Sequence, residues 1–270
     1  MGKALDEVFA DFPKTEKYPV LFVGHGSPVN GVEDNVYSRA WQKLGETLPR
    51  PKAILVISAH WLGEKTTVDV SALPKTIYDF YGFPDELYKL SYPALGAPVL
   101  AEATRTALHE YGVGREEYGL DHGAWIVLRR MYPKADIPVF QLAIDFEKPS
   151  SYHYDLGKAL APLREHGVLI LGSGNIVHNL RIIDWKPDAP PRDWALEFDA
   201  RVVMLLQEGK HDALCAYNSI TSSALLAVPT PDHYYPLLYV LGAGGKEATV
   251  TFPIEGVEFG SISMRSVLLS

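Results

Sequence analysis

One cysteine, Cys215, stands in a chain of 270 residues. That excludes an internal disulfide, a Cys-X-X-Cys redox pair and a thiolate zinc cluster, and it makes a reducing, cytoplasmic setting the simplest expectation. Basic clusters are missing too. Lys and Arg number 25 against 33 Asp and Glu, the net charge is −8, and no run of five or more cations occurs, so nucleic acid is disfavoured as a partner. No apolar run approaches the ~18 residues of a membrane span, and the opening MGKALDEVFADF mixes charged with apolar residues where a signal peptide would not. The expectation is a soluble protein with no membrane partner. Repeats and low-complexity tracts are also lacking. Only KPDAPPRD (Lys186 to Asp193) reads as linker-like, a surface loop before a helix. Nothing forces a boundary, and residues 1–270 are expected to form one domain.

What the chain does have is apolar residues, 47% of the total, arranged in short runs. Tyr18–Val23, Ala53–Ser58, Ile137–Ile144 and Gly167–Leu171 are long enough for buried strands and too short for typical helices. Between them, apolar residues at three- and four-residue spacing predict helices over Ser38–Thr47, Ala97–Tyr111, Gly123–Tyr132, Tyr152–Glu165 and Arg192–Gln207. This alternation predicts a three-layer α/β/α fold with a mixed, largely parallel central sheet. The C-terminal TVTFPIEG and SISMRSVLLS alternate apolar and polar residues, predicting two strands paired at one edge.

Nine histidines are the chemical lead. His25 follows VLFVG, His60 follows ILVISA, and His178 lies just beyond VLILGSGNIV, so three strands deliver an imidazole past their carboxyl ends. That edge is where open α/β sheets bind ligands. Gly24 and Gly26 around His25 would let the backbone turn sharply and approach a ligand. His122 in LDHGAW and His233 in TPDHYYP have comparable settings. A single histidine taken alone is most simply a cap satisfied by backbone groups. Three at strand ends favour a site for one divalent metal ion such as Zn(II) or Fe(II), held by imidazoles because the chain is poor in Cys. His109, His166 and His211 read as structural or surface residues, and His153 as solvent-facing in the first turn of a helix.

Other motifs are weaker. GHGSP contains Ser27, and GSGN (Gly172 to Asn175) has some likeness to a phosphate loop, but neither matches a nucleophile elbow, a dinucleotide fingerprint or a P-loop. A Ser27–His122–Asp121 arrangement is conceivable, although adjacent residues rarely face each other. The aromatic stretch IYDFYGFP (Ile77 to Pro84) is either core filler or the wall of a pocket for a flat ring.

Taken together, FVGHGSP, SAHW, YDFYGFP, GLDHGAW, SGNIVHNLR, TPDHYYPLLYVLGA and VEFGSISMRSV resemble the 4,5-DOPA extradiol dioxygenase branch of the class III extradiol ring-cleavage dioxygenases, from about Val20 to about Val267. The resemblance implies a LigB-like catalytic domain that binds a small catechol and O2 and yields a muconic semialdehyde. It implies His25, His60 and His233 as metal ligands, His178 as a further ligand or an acid/base, and His122 as a catalytic neighbour. Better-known ring-cleavage enzymes place a glutamate where His233 stands. The all-histidine set carries one negative charge less, which lowers its preference for the harder Fe(II) and makes Zn(II) a plausible occupant, whereas dioxygenase activity calls for Fe(II) because Zn(II) cannot change oxidation state. Asn179 and Tyr234 are expected to orient substrate, and Tyr78, Phe80 and Tyr235 to wall the pocket. A zinc hydrolase with Glu33 or Asp34 as base, or a non-catalytic four-histidine zinc protein, would use the same cluster. Monomer and small homo-oligomer both remain open.

Overall fold

A computed structural model of the chain describes residues 8, 9, 12–186 and 189–270. Pro187 and Asp188 of the linker-like KPDAPPRD stretch lie outside the described residues, as does most of MGKALDEVFADF.

Three strands form the centre: β1 (Val20–Gly24), β2 (Ala53–Ser58) and the later β4 (Val168–Gly174), every residue of which is buried. With β3 (Val139–Gln141), β5 (Val250–Ile254) and β6 (Ser266–Leu269) they make a six-stranded sheet in the order β3-β2-β4-β1-β6-β5. The four strands from β3 to β1 are mutually parallel, and β6 joins β1 antiparallel and carries β5 at the edge. Period-two alternation divides these strands between two cores. Val20, Phe22, Leu55 and Ile170 face one apolar cluster, whereas Leu21, Val23, Ile54 and Leu171 face the other. Helices cover both faces, as the alternating pattern predicts. Trp41 and Leu44 of α1 (Val36–Thr47) and Trp125 and Leu128 of α3 (His122–Met131) fill the second cluster. Leu100 of α2 (Pro98–Ala107), Leu156 of α4 (Ser150–Leu160), Phe198 of α5 (Asp193–Gln207) and Leu237 of α6 (Tyr235–Gly244) fill the first.

Two differences from the sequence expectation have one cause. Helix α6 has all ten residues buried, so its sequence YPLLYVLGAG shows no polar face and no helical period to detect. Packed beside it is His153, which is fully buried and not solvent-facing as expected. Its Nδ1 is 3.0 Å from the Tyr239 hydroxyl of α6, and its Nε2 is 3.3 Å from the Lys148 carbonyl. Burial pushes His153 down to about 4. The folded state therefore resists a proton that the unfolded chain accepts near 6.5. The associated stability is complete above about pH 6.5 and drains away as pH falls toward 4, a loss of roughly 3 kcal/mol. His153→Gln should reduce the pH slope of the unfolding free energy between pH 6.5 and 4.5 by about 1.4 kcal/mol per pH unit, measured by urea denaturation.

Close packing also explains the GSGN glycines. A Cβ on Gly174 would overlap the carbonyl oxygen of His233, and one on Gly172 would lie 2.6 Å from the Pro236 carbonyl oxygen. The start of α6 is thus pressed directly on the end of β4, and Asn175 N–H donates to the His233 carbonyl at 2.9 Å. Gly174→Ala is expected to cost about 1–3 kcal/mol by urea denaturation and to lower metal content, since His233 must move.

Candidate metal centre

β4 lies between β1 and β2, so the carboxyl ends of three neighbouring strands open onto one crevice. His25 comes one residue after β1, its N–H donating to the Gly174 carbonyl at 3.0 Å. Gly26, with φ of 59°, then reverses the chain in the left-handed region, where an L side chain would be strained. His60 comes two residues after β2, with its N–H on Ser58 Oγ at 3.3 Å. His178 follows β4, its N–H held by the Ala227 carbonyl at 2.9 Å. His233 enters from the start of α6. His122 opens α3, whose N-cap Asp121 accepts from Ala124 N–H at 3.1 Å. All five imidazoles line the same cavity, of about 210 Å³.

Three of them form a nearly equilateral set. Ring centroids lie 5.0 Å apart for His25–His60, 5.2 Å for His25–His233 and 5.0 Å for His60–His233. One nitrogen from each ring falls within 4.8 Å of the others, and the Nε2 atoms of His25 and His60 are 3.2 Å apart. Two nitrogen ligands about 2.0–2.1 Å from a shared tetrahedral centre lie roughly 3.3 Å apart, so this pair fits a common ion. Tautomers agree with that geometry. Ser173 Oγ donates its only proton to the Gly123 carbonyl at 2.6 Å, so it must accept from His25 Nδ1–H at 3.0 Å, which leaves the His25 Nε2 lone pair free. His233 Nδ1 bonds the Asp232 carboxylate and frees its Nε2 in the same way. Burial, reinforced by the neighbouring imidazoles, holds His25 and His60 well below the ordinary histidine range. Both are therefore neutral donors at neutral pH. The donor set fits a divalent cation of borderline softness.

Beside this triangle sits Asp79, which accepts from both the backbone N–H and Nδ1–H of His122, each at 2.9 Å. Burial alone would raise the Asp79 carboxyl, but the bonds from His122 outweigh it and hold the group below its ordinary value. His122 is left with Nε2 as its free ring nitrogen, and its ring lies 3.8 Å from that of His60. His178 is not within reach of His25 and His60 as a fourth donor in that set. Its ring stacks in parallel on His233, 3.5 Å away with 8° between planes. Burial and the His233 ring keep His178 well below its ordinary range.

Residues 19–267 match the family described as the catalytic LigB subunit of aromatic ring-opening dioxygenase. The chain belongs to the LigB family. It is similar to the 4,5-DOPA dioxygenase extradiol of Escherichia coli (strain K12), 48% identical over 93% of this chain and 94% of that protein. The 4,5-DOPA dioxygenase extradiol of Beta vulgaris is 39% identical over 84% of this chain and 87% of its own length. Among solved structures, that of an uncharacterized protein from Escherichia coli K12 superimposes with a TM-score of 0.83 at 44% identity, covering 94% of this chain and all of the other.

Several neighbours expected in the site of this LigB-family protein prove to face elsewhere. Asn179 donates to the Leu226 carbonyl at 2.8 Å and caps the turn at Arg181 N–H, while the buried Tyr234 hydroxyl donates to the Leu214 carbonyl. Both are structural. Of the expected wall residues, Phe80 lines the cavity and sets its ring edge against His122, whereas Tyr78 bonds the Leu90 carbonyl and Tyr235 packs on His153. Glu33 and Asp34 are exposed and do not line the cavity, so neither is placed to serve as the base of a hydrolase. Ser27 lines it but accepts from Val29 N–H, and Asp121 pairs with Ser58, so no Ser27–His122–Asp121 relay assembles. Two residues escaped the sequence reading. Asp79 lay unremarked inside the aromatic stretch, and Asp232 directly precedes His233. The position of Asp232 was the one available signal.

Proposed function

We propose that the protein is an extradiol dioxygenase, cleaving a catechol ring beside one of its oxygen-bearing carbons and inserting both atoms of O2. One new oxygen ends in an aldehyde and the other in a carboxylate, giving a muconic semialdehyde. His25, His60 and His233 hold one divalent ion, and the paired geometry of Asp79 and His122 beside that triangle is the observation that carries the reading. Bound there, Fe(II) would supply chelation of both catechol oxygens and a route for electron density toward O2, which the redox-inert Zn(II) cannot.

The remaining steps belong to the chain's own groups. His122 Nε2, with its Nδ1–H fixed on Asp79, is the site that takes a phenolic proton, and the carboxylate steadies the imidazolium that results. His122 returns that proton as the ring opens, and His178, neutral at cellular pH and stacked on His233, stands beside it as a second base able to take a phenolic proton and give it back. With three neutral ligands the ion keeps its full double charge. Asp79 and Asp232 behind His122 and His233 offset part of it, and a catecholate would offset the rest. Both apolar clusters flank one sheet, which supports a single catalytic domain. Among the described residues no helix is long and apolar enough to cross a membrane, and with the single cysteine this favours a cytoplasmic enzyme.

The test is oxygen uptake, with absorbance of a yellow product, after metal-free protein is loaded anaerobically with Fe(II) or Zn(II) and given L-DOPA or 4-methylcatechol. Uptake with Fe(II) alone is expected. Silence toward both catechols with metal bound would overturn the reading.

A further inference from the structure

The cavity changes character from its floor to its mouth. The floor is imidazole and carboxylate, whereas the outer wall is built from Phe83, Leu180, Ile183, Trp185 and Phe259. Trp185 is 63% exposed and Leu180 53% exposed, an unusual placement for large apolar side chains that gather at one opening. Phe259 sits 5.6 Å from Trp185 with φ of 51°, in the left-handed region where a bulky residue is strained. Glycine or asparagine would be easier there, so the aromatic ring is held at the mouth at a conformational cost. Charge is distributed just as unevenly. Among the described residues no Lys or Arg lines the cavity, and its one carboxylate, Asp79, is engaged by His122. Arg181 follows Leu180 in the chain but is exposed and does not line the cavity.

We infer that this mouth selects catechols bearing an apolar or aromatic substituent in preference to an amino-acid side chain. The inference rests on the ring-cleavage reading and narrows it. A catechol seated on the floor directs its substituent outward along Trp185 and Phe259, where an aryl or alkyl group buries apolar surface. A carboxylate in the same place loses water and gains no partner.

The experiment is isothermal titration calorimetry of the metal-loaded protein under anaerobic conditions, so that binding is read without turnover. The probes are 4-phenylcatechol and L-DOPA. 4-Phenylcatechol should bind at least about tenfold tighter. Trp185→Ala, at an exposed position that does not threaten folding, should weaken 4-phenylcatechol about fivefold and L-DOPA less than about twofold. Arg181→Gln should leave L-DOPA unchanged, and Leu180→Arg should strengthen it. Equal or tighter binding of L-DOPA, or its loss in Arg181→Gln, overturns the inference and leaves catechol cleavage standing. Failure of both catechols to bind the metal-loaded protein overturns the ring-cleavage reading along with it.

Discussion

His60→Ala should empty the metal site and abolish ring cleavage, with metal content of the purified variant falling below a tenth of one ion per chain. Substituting a residue that merely orients a ligand costs about 10–100-fold in metal affinity, and removing one of three ligands must exceed that, by roughly 10³-fold or more. His60 is the most informative of the three because its Nε2 meets His25 Nε2 at 3.2 Å while its Nδ1 lies 3.5 Å from Asp79. It could therefore serve either of two potential groups, the His25–His60–His233 triangle or the His60–Asp79–His122 cluster. Tautomers decide between them. The second cluster already uses a proton between His122 Nδ1 and Asp79 Oδ2, so its nitrogen is a donor of hydrogen and not of a lone pair. His25→Ala should accordingly lose metal as completely as His60→Ala. Full metal content in His25→Ala would move the ion to the Asp79 side. Thermal unfolding separates metal loss from misfolding, since a variant that has lost only its ion should still unfold in one cooperative transition.

The part of this site legible in the sequence was the part that strand chemistry dictates. Buried parallel strands need unbroken apolar runs, so VLFVG, AILVIS and VLILGSG were visible, and histidines just after them fell at the ligand-binding edge. Adjacency in sequence was a poor guide beyond that. Asn179 and Tyr234 each neighbour a site histidine, yet the backbone turns at both places and aims their side chains into structural bonds. Asp79 was illegible for the opposite reason, because its partner His122 lies 43 residues away, with the whole of α2 between them, and only the tertiary fold brings them together. A helix without a polar face hid α6, and with it the burial of His153. The family motifs pointed to five histidines that line one cavity, and gave no role to Asp79 and Asp232, which bond two of them.

Those partners set the second large effect. His122→Ala should retain its metal within about tenfold yet lose about 10²–10⁴ in kcat, the usual worth of a positioned acid/base. The backbone N–H of residue 122 would still hold Asp79 at 2.9 Å, so the carboxylate keeps its place near His60 and the triangle is undisturbed. Asp79→Asn tests the same assignment without deleting the ring. An amide at that position can offer its NH2 to His122 Nδ1, which then accepts, and the ring proton moves to Nε2. The imidazole would sit in the right place with its base capped, and turnover should fall by about 10³–10⁴ with metal retained. The two lesions act on one proton transfer, so the double variant should be little slower than either single one. Metal loss in His122→Ala would instead place that ring on the ion, and an Asp79→Asn variant with undiminished kcat would leave His178 as the group that takes the phenolic proton.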